Sequence, residues 1–163
     1  MRPNITCRLS LVILLVFVSA SCGFTPVYAP GSKTNAALSD IVVAPPKNDR
    51  ANYIFVKELE DRIGRNLNAG KVLKHDIWVS EVDAGLESSV PRTQLLGKVT
   101  YQVASLDDGR ALFGGTVGNF VAYSPLSDIT TAASNDAEER LMTILADQMV
   151  TELIARFSSL ADE

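Results

Sequence analysis

Histidine, cysteine and tryptophan are scarce in this chain: one His, two Cys and one Trp in 163 residues. The lone His75 has no second His or Cys at metal-ligand spacing, and triad or thiol-protease chemistry lacks its parts. In Lys74-His75-Asp76 it reads as an ordinary surface or strand-edge residue. Basic charge is also short. Fifteen Lys and Arg stand against 19 Asp and Glu, a formal net charge of −4 with a pI near 5.0. That balance excludes a general nucleic-acid binder, which needs surplus cations to neutralise phosphate. Internal repeats and low-complexity tracts are missing. The longest apolar run, Leu11 to Val18, is eight residues, and a helix needs roughly 20 to cross a bilayer. What remains is one ordinary domain's length of sequence, 47% apolar and 21% charged.

The first segment has the parts of an export signal. Arg2 and Arg8 precede the apolar run with no acid among them, and the small residues Ser19-Ala20-Ser21 follow. Cys22-Gly23 after those small residues resembles a bacterial lipobox, with Ser19 where that pattern favours Leu. On this reading residues 1–21 are a lipoprotein signal peptide and Cys22 is the acylated mature N-terminus. The alternative is simple secretion with a free thiol. Cleavage removes Cys7 and leaves one exported Cys, an oddity unless modified. Multiple acyl chains, each methylene contributing about 0.8 kcal/mol, anchor a protein stably without a spanning helix. Removing residues 1–21 leaves 13 bases against 19 acids, a formal net charge of −6.

Patterning predicts an extended tether over 22–40, where Pro26 and Pro30 oppose helix, followed by a domain over 41–163. Ile41 to Ala44 reads as a short strand ended by Pro45-Pro46. Asn48-Asp49 predicts a helix start, with Phe55, Leu59, Ile63 and Leu67 on one stripe and Gly70 at its end. Lys71 to Lys74 reads as a basic turn, and Ile77 opens a second strand with alternation through Val82, Ala84 and Leu86. Leu95, Val99, Tyr101 and Val103 share one strand face, and Gln94, Lys98, Thr100 and Gln102 the other. Asp107-Asp108-Gly109 is a hairpin turn. In the following strand, Phe113, Val117, Val121 and Tyr123 form the buried face, while Gly114, Gly115 and Gly118 indicate a bulge or a close backbone approach. Asn135-Asp136-Ala137-Glu138 predicts the start of a last helix to about Leu160, burying Met142, Leu145, Met149, Leu153 and Phe157. The expected fold is α+β: a two-layer sandwich of an antiparallel four-stranded sheet with two helices on one face, in the order β-α-β-β-β-α.

Candidate chemistry is sparse. Asp107 and Asp108 are turn formers rather than an acid-base pair, and the glycines of 114–118 precede no helix start able to hold phosphate. No catalytic residue, metal or cofactor is expected. The basic residues Lys71, Lys74, Arg92 and Lys98 occupy positions able to meet an anionic headgroup.

Cys22-Gly23-Phe24-Thr25-Pro26-Val27-Tyr28 resembles the mature start of the LptE lipopolysaccharide-assembly lipoproteins. Asn135-Asp136-Ala137-Glu138, through Leu145-Ala146-Asp147-Gln148 to Leu153-Ile154-Ala155-Arg156-Phe157, is similar to that family's last helix. The resemblance implies a non-enzymatic lipoprotein, lipid-anchored at the outer membrane on its periplasmic side. It also implies a plug inside an LptD-type β-barrel that assists folding of the barrel and delivers lipopolysaccharide to the cell surface. Family members bind lipopolysaccharide through bases; this chain has Arg92 near one such position, with Lys98 as a further candidate, and Ala133-Ser134 without a base at the other. The polar strand face of Gln94, Lys98, Thr100 and Gln102 suits a polar barrel interior. A second reading stays open: a stand-alone periplasmic lipoprotein binding a small ligand or an envelope polymer.

Overall fold

The computed structural model describes residues 33–83, 92–124 and 130–161. Cys22, the signal segment, the tether up to Ser32, and the positions Ala84 and Leu86 lie outside the described residues. The element order is α1 (Lys33–Ser39), β1 (Ile41–Val43), α2 (Arg50–Ile63), β2 (Lys71–Asp83), β3 (Thr93–Ser105), β4 (Ala111–Tyr123) and α3 (Thr130–Ala161). The strands form one sheet in the order β1-β2-β3-β4.

Two features correct the expected architecture. The sheet is mixed, because β1 pairs with β2 in parallel, Ile41 opposite Lys71 and Val43 opposite Leu73. The cause is α2, which carries the chain back along the sheet and so returns β2 in the direction of β1. The described residues also hold three helices. Lys33–Ser39, read from sequence as tether, is helical. It buries Leu38 and brings Thr34 Oγ1 within 3.3 Å of Ser158 Oγ on α3.

Local signals explain most boundaries. Asp49 caps α2, its carboxylate accepting the Asn52 N–H at 2.8 Å. The helix ends at Ile63 rather than near Gly70, because Gly64 adopts φ +84° and donates its N–H to Glu60 O at 2.9 Å. Leu67 therefore leaves the predicted stripe and is 85% exposed. Lys71 to Lys74 is the first part of β2 and not a turn. Gly109 takes φ +70° in the β3–β4 hairpin, as its turn requires. The register shift falls at Val103/Ala104, opposite Ala111 to Phe113 and before the glycines rather than at them. Gly114 and Gly115 instead mark close approach, since a β-carbon there would lie 2.7 Å from Tyr101 O and 2.8 Å from Glu152 Oε1.

The last helix starts at Thr130, five residues before the Asn135-Asp136 signature. Its 32 residues span about 48 Å, comparable to the roughly 43 Å of the 13-residue strands it crosses. Leu141, Met142, Leu145, Met149 and Leu153 are fully buried against Val99 and Val103 of β3 and Phe55 and Leu59 of α2. Burying such side chains is worth about 1.5–3 kcal/mol each and seats the helical layer. Arg62 reinforces it from α2, its Nε donating to Asp147 Oδ1 on α3 at 2.5 Å and its NH1 to Glu58 Oε2 at 2.7 Å.

Candidate functional site

The core-cluster residues of β2, β3 and β4 alternate onto the side of the sheet that packs against the helices, which leaves the other set of side chains on a face that no described element covers. The register places these outward residues in rows. Lys74, Gln102 and Gly114 form one, Asp76, Thr100 and Thr116 the next, then Trp78, Lys98 and Gly118, then Ser80, Leu96 and Phe120, and finally Val82, Gln94 and Ala122.

One half of this face is polar and the other apolar. Thr100 and Thr116 approach to 3.5 Å through their hydroxyls. Beyond them Trp78 and Phe120 are 55% and 56% exposed, with Leu96 half-buried in the row of Phe120. A trough of about 450 Å³ runs over Gly118, lined by Trp78, Leu96, Lys98, Thr116 and Phe120. The sequence reading marked the face of Gln94, Lys98, Thr100 and Gln102 as polar, but it missed this aromatic half. Phe120 was legible, since Val117 and Val121 fix the parity of the buried side. Trp78, flanked by Ile77 and Val79, gives no such signal until its register against β3 is known.

Charge on the face is also uneven. Asp76, its single outward acid, is ion-paired with Lys47, which holds its carboxyl below the usual range. Lys74 and Lys98 have no carboxylate partner among the described residues. The helical layer is the opposite: α3 carries five acids and two bases. A chain with an acidic total thus presents a positive sheet face.

Arg92 is exposed immediately before β3. It sits at the sheet end where Glu81 accepts hydrogen bonds from the Tyr123 hydroxyl at 2.8 Å and Ser134 Oγ at 3.3 Å. Six residues of strand, about 20 Å, separate it from Lys98, so the structure does not bring the two candidate bases together. Ala133 and Ser134 lie inside α3 and not before it.

His75 departs from the surface role expected of it. It is half-buried on the helix side of β2, its ring 5.5 Å from that of Phe55. Burial, with the Lys47 charge second, pushes its pKa below the ordinary value. Tyr101, opposite His75 on β3, is pushed up to about 12 by burial and the adjacent Glu152 carboxylate. Both are explained by packing under the helices. Among the described residues no group of three or more His, Cys, Asp or Glu could hold a metal ion, and no helix is long and apolar enough to cross a membrane.

The fold defines a class: a four-stranded sheet backed by helices on one side only, as in several solved bacterial lipoproteins. A putative lipoprotein from Caulobacter crescentus CB15 superposes with a TM-score of 0.65 at 19% identity, over 77% of this chain and 96% of that one. A minor lipoprotein from Acinetobacter baumannii gives 0.52 at 17%, over 71% and 89%. Rare lipoprotein B from Shewanella oneidensis gives 0.52 at 13%, over 76% and 97%. No curated protein matches the chain in sequence. Residues 38–153 match the family described as Lipopolysaccharide-assembly, LptE. The chain belongs to the LptE family.

Proposed function

We propose that this protein is an outer-membrane lipoprotein, anchored through acylated Cys22, that docks inside an LptD-type β-barrel, assists its folding and takes part in delivering lipopolysaccharide to the cell surface. Family membership supports the lipopolysaccharide-assembly role. The observation that carries the docking role is the sheet face of β2, β3 and β4, left uncovered by every described element. A plug must present side chains that tolerate a wet, polar lumen, and Gln102, Thr100, Thr116 and Gln94 do so. The reading needs no catalytic group and no cofactor.

We assign lipopolysaccharide contact to Arg92, an exposed cation immediately before β3. Lys98, about 20 Å along the strand, is assigned to the docking face. Depletion in cells tests the function: folded barrel and surface lipopolysaccharide should fall together. Unchanged levels of both after full depletion would refute it. Arg92→Glu should weaken lipopolysaccharide binding by the purified protein, most at low salt, and unaltered binding there would remove Arg92 from the contact.

A further inference from the structure

The trough over Gly118 is more specific than an uncovered sheet requires. A Cβ at Gly118 would meet nothing nearer than Gly97 O at 3.5 Å, an ordinary contact, and its φ is not positive. The fold therefore does not need glycine here. Its consequence lies outside the fold: the place between Trp78, Lys98 and Phe120 stays open. Two large aromatics stand half-exposed beside it, with the hydroxyls of Thr100 and Thr116 and the amide of Gln94 around them. Aromatic anchors inside a polar rim are the anatomy of a protein-protein hot spot.

We propose that this trough receives one bulky apolar side chain from a polypeptide segment of the barrel partner, and that Lys98 pairs with an Asp or Glu beside it on that segment. The proposal rests on the docking role above and adds where the contact is made and by what chemistry. Charge selects the acid. Among the described residues Lys98 and Lys74 have no carboxylate partner and Lys47 holds the outward Asp76, so an approaching acid is attracted and an approaching base repelled. Aromatic walls inside a polar rim, continuous with the docking face, favour a polypeptide side chain over a lipid tail. Thr116 and Phe120 stand about 13 Å apart along β4, and only the Gly118 position between them is vacant. A bulky apolar side chain entering there would lie within the trough's about 450 Å³, against the Trp78 and Phe120 rings.

The test uses the full-length lipoprotein in membranes that contain the barrel. A photoreactive residue at Thr116 should cross-link to barrel polypeptide, and one at Tyr53, exposed on α2, should not. Gly118→Leu, which fills the trough, should cut co-purified barrel at least tenfold with thermal unfolding unchanged. Lys98→Glu should cut it severalfold, more at low salt. Full barrel recovery with both Gly118→Leu and the Trp78→Ala/Phe120→Ala double variant would overturn the trough while leaving the docking role standing. Cross-links from Thr116 that carry lipid instead of polypeptide would also overturn it. Absence of barrel from the unmodified protein would instead refute the docking role itself, and the trough with it.

Discussion

Gly97 of β3 faces Leu145 of α3 so closely that a β-carbon on Gly97 would lie 2.8 Å from Leu145 Cδ1, and 2.9 Å from Leu141 Cδ2. Both leucines are fully buried, so neither has free volume to retreat into. The missing side chain lets the long helix settle onto the centre of the sheet, directly behind the trough on the other face.

Gly97→Ala should therefore destabilise the protein by about 1–3 kcal/mol, the usual cost of an extra methyl in a filled core. Urea or thermal unfolding checks this. The contrast with Gly118→Ala, which should be near neutral because its Cβ meets nothing closer than 3.5 Å, makes the comparison internal to one sheet.

Asp49 joins a cap to a buried amide. Its Oδ1 accepts the Asn52 backbone N–H at 2.8 Å, and its Oδ2 accepts Asn52 Nδ2 at 2.8 Å, while Asn52 is buried. Asp49→Ala removes the cap, worth about 1 kcal/mol, and strands a buried donor, worth a further 1–3 kcal/mol. A loss of about 2 kcal/mol or more in chemical denaturation is expected. A loss of a few tenths would contradict this coupling.

His75 sets a pH dependence whose sign follows from burial. Its folded pKa lies below the unfolded value because the imidazole sits under Phe55 near Lys47, with Asp76 and Asp49 opposing only in part. The stability associated with neutral His75 is complete above about pH 6.5. It declines as pH falls toward the folded pKa, since the unfolded chain takes up the proton first. Asp40 and Asp76, whose carboxyls are held low by Lys71 and Lys47, add their own loss only in the acid range below the ordinary carboxylate value. His75→Gln should flatten the stability profile just below pH 6.5. An identical slope in both proteins would show that His75 is not its source.

Cys22→Ala should abolish labelling by a palmitate analogue and leave the signal uncleaved by lipoprotein peptidase. Labelling at wild-type level would place the lipid elsewhere.

Much of the fold was legible in the residues because β3, β4 and α3 each bury a clean periodic stripe. Leu95, Val99 and Val103 are buried as their alternation implies, and Met142, Leu145, Met149 and Leu153 as their helical spacing implies. Strand direction was not legible. Alternation in Ile41 to Val43 is the same whether its neighbour runs parallel or antiparallel, and only the crossover through α2 decides. The helix Lys33–Ser39 was masked by the proline-rich run before it. Asn135-Asp136 imitates a helix start, yet both are exposed inside α3, and Asp136 pairs with Arg140 one turn on at 3.0 Å. Of the candidate site, Arg92 and Lys98 were visible as bases, but their separation was not. The Trp78–Phe120 trough needed three strands in register before it existed at all.

The docking role is tested most directly by tagging the full-length protein, extracting it from membranes in mild detergent and identifying what remains bound after stringent washing. A large outer-membrane β-barrel in near-equal amount is the predicted result. Recovery of a stable monomer, free of any barrel under conditions that preserve other outer-membrane complexes, would contradict the account.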